Sequence, residues 1–352
     1  MIISFLVILS FEGDEYSPTK KMAAKRVTQH RILDLGATLI LIAIVSTLRA
    51  TLLPAGDEVV ANTATPIGIL LQNLQERIPT LAAVVWTLCV IFAGLSVGRY
   101  AAKYSIYPAY TLMAIPILGV MAAAVMVSGD YLVSSAALLL MLHATKYLHR
   151  GIMRTKSFGD LSLSMLCFGT IPLVFAPAAI FYILLPVMVL VIHNSWREWV
   201  VTISSLIFPP LAVCYWSWCA GEEFTTPIEQ IYNSIFTPSE FHLFATLNPA
   251  SILLLGVVIM MVLCAVSLII SDKYSLKVNS RAVMRFNSLL LVACIAIFFF
   301  PSSTATTFVL ISVPISMLVP LIFVRMGMGF TETLYRLMLL AAAINILAIC
   351  WQ

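Results

Sequence analysis

The stretch from Leu161 to Cys219 constrains this chain most. Three apolar blocks follow one another there, divided by Pro172 and Pro177 and then by a short polar knot, His193-Asn194-Ser195-Trp196-Arg197-Glu198. A water-soluble domain has no use for so much uninterrupted apolar surface. A bilayer does, because lipid offers the backbone no hydrogen-bond partner and a helix satisfies its own. The rest of the chain repeats the pattern, so the expected fold is all-α, a polytopic helical membrane protein.

Composition agrees. Of 352 residues, 61% are hydrophobic and 10% charged, against about 25% charged in an ordinary soluble domain. The seven cysteines lie in or at the ends of apolar segments and none pairs at CxxC spacing. They read as small buried hydrophobes, with no metal site among them. Residues 2–11 have no basic region before them and no small-residue cleavage site after them, and they are short for a span. Together with the residues up to 32 they read as a cytoplasmic or interfacial N-terminal segment.

Hydropathy and charge divide residues 33–350 into a single transmembrane domain of about eleven helices. These lie near 33–53, 80–97, 106–127, 131–148, 160–175, 178–192, 200–219, 247–270, 288–300, 308–323 and 334–349. Pro108 and Pro116 predict a bend in the third. Pro209 and Pro210 in the seventh free carbonyls that need a partner. Residues 55–78 and 220–245 are the external segments, the first with apolar positions at helical spacing from Ile67 to Ile78. Residues 271–286 form a basic cytoplasmic link. Residues 298–306 fit an interfacial, re-entrant or spanning piece. Lys20, Lys21, Lys25, Arg26 and Arg31 precede the first span, and every basic residue except Arg49 and Arg77 falls on the same side of this layout. That bias places the N-terminus in the cytoplasm.

The run from Ser157 to Trp216 (SFGDLSLSMLCFGTIPLVFAPAAIFYILLPVMVLVIHNSWREWVVTISSLIFPPLAVCYW), with its Ser195-Trp196-Arg197-Glu198-Trp199 turn, resembles a family of uncharacterised multispanning proteins of the Bacteroidota. The resemblance implies a multi-pass protein of the bacterial inner membrane and carries no activity.

Two functions fit these residues. The first is a non-catalytic scaffold or accessory subunit, acting in cell-envelope biogenesis. Trp196, Arg197 and Trp199 would then dock another membrane protein, and Lys273, Lys277, Arg281 and Arg285, four residues apart on one helical face, would contact anionic lipid. The second is an enzyme or carrier for a lipid-linked, polyprenyl-phosphate substrate at the outer leaflet, similar to membrane glycosyltransferases. There Asp57 or Glu58 would act as general base, His242 would donate a proton, and Arg49 or Arg77 would bind the lipid phosphate. A divalent metal belongs to this reading alone. No cofactor, metal-ligand spacing or nucleic-acid motif is expected.

Overall fold

The structure is a computed structural model. It describes residues 36, 38–40, 42–44 and 65–350, apart from 105, 109–110, 126–128, 154–157, 194–195, 240–246 and 272–276. The N-terminal segment to residue 32 lies outside the described residues.

Among the described residues every regular element is helical. In chain order they are α1 (Pro66–Arg77), α2 (Pro79–Lys103), α3 (Ala114–Gly119, running on as a π-helical turn Val120–Ala124) and α4 (Tyr131–Met153). Then come α5 (Phe158–Val174), a 3-10 turn (Ala176–Ala179), α6 (Ile180–His193), α7 (Trp196–Cys219) and α8 (Thr226–Phe236). The chain closes with α9 (Pro249–Ser271), α10 (Val278–Ile297), α11 (Thr306–Leu318), α12 (Pro320–Arg325) and α13 (Met328–Cys350). Seven helical stretches are long and apolar enough to cross a membrane: α2, α4, α7, α9, α10, α11 with α12, and α13. The stretches Ala114–Ala124, Phe158–Val174 and Ala176–Leu190 are apolar but shorter. This is an all-α, multispanning membrane protein.

The bundle is built around α11. Every residue from Thr306 to Ile322 is buried, and α10, α4 and α3 pack against it. A helix that is apolar all round belongs in the interior. Its two mid-helix serines keep that rule, because Ser312 donates to Val309 O at 2.6 Å and Ser316 to Val313 O at 2.7 Å. Neither presents an unsatisfied hydroxyl to a neighbour.

Small residues set the closest approaches. Gly94 and Gly98 lie one turn apart on α2. A Cβ on Gly94 would fall 2.5 Å from Leu39 Cδ2, and one on Gly98 would fall 2.5 Å from Ile115 Cγ1. This is the small-xxx-small spacing that lets membrane helices touch. The α5–α7 contact is as close and meets backbone instead of a side chain. A Cβ on Gly169 would sit 2.5 Å from the carbonyl oxygen of Leu206. That carbonyl is free because Pro210, four residues on, has no N–H to give it. The double proline of α7 therefore leaves a helix intact and finds its exposed backbone covered by a glycine of α5.

Helix α7 also indicates how the bundle sits in a bilayer. Trp196 and Trp218 are about 33 Å apart along an axis rising roughly 1.5 Å per residue, close to the thickness of a hydrocarbon core. Trp196 is 71% exposed at one end, and Tyr215, Trp216 and Trp218 are exposed at the other. Aromatic side chains at both ends of an apolar face match the two membrane interfaces.

Several elements differ from their expected bounds. The third helix starts at Ala114, so Pro108 lies outside it and Pro116 sits in its first turn, where a missing N–H breaks nothing. Its irregularity comes from the π turn, not from a proline kink. Trp196, Arg197, Glu198 and Trp199 form the first turn of α7 instead of a loop. The basic positions Arg281 and Arg285, expected in the link 271–286, belong to the same continuous helix as the span that follows them. Residues 220–245 contain α8, a helix the sequence pattern did not announce. The helix expected from Ile67 onward is present as α1. Helices α1 and α8 together cover the α5–α6 junction, with Ile67, Ile231 and Ile235 packed against Leu173, Ala176 and Ala179.

Gly169→Ala is expected to destabilise the protein by about 1–3 kcal/mol, because the new methyl meets backbone that cannot swing aside. Thermal unfolding in detergent checks it. Alanine at Gly256, with nothing within 4 Å of its position, is the matched control and is expected to leave the melting temperature unchanged.

Candidate functional site

The helix directions gather the basic side chains at one end. There α2 and α4 finish, α5, α7 and α10 begin, and α12 passes to α13. Asn279 of α10 reaches toward Met153 O of α4 at 3.5 Å. Arg150 near the end of α4 binds Asp160 at the start of α5, Nη2 to Oδ1 at 2.6 Å and Nε to Oδ2 at 2.9 Å. This fork-to-fork geometry is the strong form of an ion pair. The guanidinium also lies 5.7 Å from the Tyr147 ring centre. Asp160 is buried, whereas about a third of the Arg150 side chain is exposed. Glu198 at this end is buried too, and the exposed Glu332 is paired with Arg336. The carboxylates are thus hidden or matched, while Lys277, Arg285 and Arg197 are exposed and Arg281 is half-buried.

A polar pair lies just inside this end. His149 of α4 and Asn287 of α10 are both completely buried, with His149 Nε2 and Asn287 Nδ2 2.9 Å apart. The Asn287 amide spends its other hydrogen on Val283 O at 2.8 Å. The nitrogen therefore faces the ring, Nε2 accepts, and the imidazole proton belongs on Nδ1. Among the described residues neither Nδ1 of His149 nor Oδ1 of Asn287 has a partner. Each such buried orphan costs about 1–3 kcal/mol. Tyr100 of α2 stands beside the imidazole, ring centres 5.8 Å apart, and Phe286 meets it edge-on at 6.2 Å. The Tyr100 hydroxyl has Met317 Sδ at 3.1 Å, and Tyr107 donates to Met317 O at 2.7 Å. Met317 closes α11 just before the break into α12.

The opposite end is held by amides and hydroxyls. Gln75 of α1 donates to Gly129 O at 2.6 Å and accepts from Leu132 N at 3.1 Å, while Gln72 reaches Asp130 at 3.3 Å. These bonds clamp α1 onto the start of α4. Asp130 is only 5% exposed. Burial pushes its carboxyl up to about 6 from the ordinary 3.8, against the opposing pull of the Gln72 amide. The turn between α10 and α11 is pinned to the segment after α8: Ser239 donates to Ser303 O at 2.6 Å and Ser302 to Ile235 O at 2.9 Å. Residues 298–305 are thus a packed turn and do not span. Ser134 of α4 and Thr306 of α11 share a hydroxyl bond at 3.0 Å beneath them.

The residues singled out from sequence fall in two groups. Arg49, Asp57, Glu58, His242 and Lys273 lie outside the described residues. Of the others, Arg77 is exposed at the end of α1. Trp196 and Trp199 pack ring to ring at 4.7 Å on the first turn of α7, with Arg197 exposed between them. Lys277, Arg281 and Arg285 share one side of α10. Trp196, Arg197 and Trp199 therefore stand at the same end as that basic face. Sequence reasoning missed His149 and Asn287. His149 sits among ordinary helix-end residues, and nothing in its spacing reveals that α10 brings an asparagine to it.

Among the described residues no group of three or more His, Cys, Asp or Glu side chains converges to hold a metal. No family model, curated protein or solved structure matches the chain.

Two outcomes follow from this geometry. Arg150→Leu is expected to destabilise more than Asp160→Asn, because it takes the guanidinium away from a buried carboxylate, whereas a freed Arg150 can rehydrate; melting temperatures of the two variants give the order. A raised carboxyl pKa means the folded state holds the proton more tightly than the unfolded chain. The contribution of Asp130 is therefore greatest below pH 4 and is lost as pH rises to above 6. Proteolytic protection of α1 is expected to fall across that window and to become flat in Asp130→Asn.

Proposed function

We propose that this protein is a non-catalytic integral membrane scaffold or accessory subunit of the bacterial inner membrane, working in cell-envelope biogenesis. In this reading the chain crosses the bilayer eleven times with its N-terminus in the cytoplasm. Seven long apolar helices, three shorter apolar stretches and the helical residues between Gly36 and Ile44 supply the crossings. The positive-inside bias supports the orientation, because it puts the basic end of the bundle on the cytoplasmic side. The resemblance to Bacteroidota membrane proteins belongs to the same proposal.

One observation carries the reading. The basic end exposes Trp196, Arg197, Lys277 and Arg285 together, while Asp160 and Glu198 are buried. Its accessible surface is thus positive and aromatic, the composition of an anchoring or docking face. Trp196, Arg197 and Trp199 meet a second membrane subunit, and Lys277, Arg281 and Arg285, continued by Lys273, hold anionic lipid.

The lipid-linked enzyme or carrier remains the second reading, on one observation. The outer surface helix α1 ends in the exposed Arg77 and packs beside α8, so a phosphate on the outer leaflet has a cation to meet. Asp57, Glu58, Arg49 and His242 would supply its chemistry, with a divalent metal if one is used.

Native extraction into nanodiscs followed by mass spectrometry separates the two. A stoichiometric protein partner that is lost on Trp196→Ala with Trp199→Ala, while the variant keeps its melting temperature, is the expected result. A lone protein retaining a polyprenyl-phosphate lipid, and losing its turnover on Asp57→Asn or Glu58→Gln, would overturn the scaffold reading.

A further inference from the structure

We propose that the His149–Asn287 pair, with Tyr100 beside it and the α11–α12 break behind it, forms a buried site for a small neutral molecule that both donates and accepts hydrogen bonds. Water is its smallest occupant. The inference is independent of the docking reading, since none of these groups is exposed.

Three observations converge. Among the described residues, His149 presents an N–H at Nδ1 and Asn287 a carbonyl at Oδ1, neither with a protein partner. One needs an acceptor and the other a donor, so a short chain of waters or one longer hydroxyl compound satisfies both and a simple ion satisfies only one. The Tyr100 hydroxyl beside them is held between the Thr145 side chain and Met317 Sδ. The central helix lacks a bond nearby: Pro320 has no N–H to give the Ser316 carbonyl, although the backbone stays helical through Val319. A backbone group loosened inside a membrane bundle needs a partner that lipid cannot supply. A polar side chain buried in such a bundle with no partner marks a site rather than a packing residue.

The chemistry of the lining restricts the occupant. At neutral pH the pair carries no charge, with the imidazole proton on Nδ1 and the amide on Nε2. Of the cations at this end, Arg150 is committed to Asp160, Lys277 and Arg285 are exposed, and Arg281 is half-buried. A neutral hydroxyl compound or water matches the donor and the acceptor that the pair presents.

Radiolytic footprinting in isotopically labelled water tests this on the full chain in nanodiscs, because bound water deposits labelled oxygen on the side chains beside it. Met317 is expected to be labelled several times more than Met165 of α5 and Met261 of α9, which are equally buried. Asn287→Leu is expected to bring Met317 down to their level, and Tyr100→Phe to lower it in part. The comparison within the wild-type protein decides the matter even where a variant fails to fold. Native mass spectrometry covers the larger occupant: a neutral adduct present in the wild type and absent from Asn287→Leu supports the site with a hydroxyl compound in place of water. Met317 labelled no more than Met165, with no such adduct, overturns the proposal.

Discussion

A carbonyl left open where a helix stops inside a bilayer has no water to turn to, and the chain must bring it a partner. This structure meets that demand repeatedly and with different chemistry each time. Asn345 of α13 gives its amide to Ala124 O at 2.6 Å and Val125 O at 3.3 Å, closing the end of the π turn, and takes the Ser251 hydroxyl at 2.7 Å in return. Thr65 covers Val174 O at 3.1 Å where α5 ends. Tyr182 covers Gly169 O at 2.7 Å, and Tyr107 covers Met317 O where α11 breaks. Most of these bonds tie irregular backbone to a segment distant in sequence, as Thr65 to Val174, Tyr107 to Met317 and Asn345 to Ala124. The same bonds that satisfy the backbone hold the bundle together, which matters where lipid provides no hydrophobic drive for helices to associate.

Against that background the His149–Asn287 pair stands out. The bundle finds partners for many of its buried polar groups, some from far along the chain, yet leaves a donor and an acceptor open within one pair. Their position just inside the Arg150–Asp160 bridge puts a neutral polar spot next to a fixed ion pair and a broken central helix. Rigid packing on every side preserves the arrangement, with Phe286, Phe168 and Phe181 stacked edge to face behind it.

The two ends differ in kind. The basic end displays its cations and hides its carboxylates, so its surface is set up for association. The opposite end is closed by α1 and α8 and by the turn before α11, all held by side-chain amides and hydroxyls. The short helices α5 and α6 are possible because of this cover: their junction is roofed by Ile67, Ile231 and Ile235 and never meets solvent.

The membrane class, the all-helical content and most helix centres were legible in the chain, because apolar length and charge placement are local properties that a bilayer reads directly. The amphipathic spacing from Ile67 likewise announced α1. The helix over Thr226–Phe236 escaped notice because its acidic surroundings made the segment read as a hydrated loop. Pro108 and Pro116 suggested a bend, and the Pro209–Pro210 pair suggested carbonyls in need of a partner, but whether a proline disrupts a helix depends on where the helix starts and on what covers the freed carbonyl. Which helix becomes the buried centre was not visible either, since α9 and α11 are both apolar along their length and only α11 is enclosed. Nor was the meeting of His149 with Asn287, 138 positions apart in the chain. Local sequence determines that a segment enters the membrane; which polar atoms find each other there is decided by packing between distant helices, through contacts that no single segment encodes.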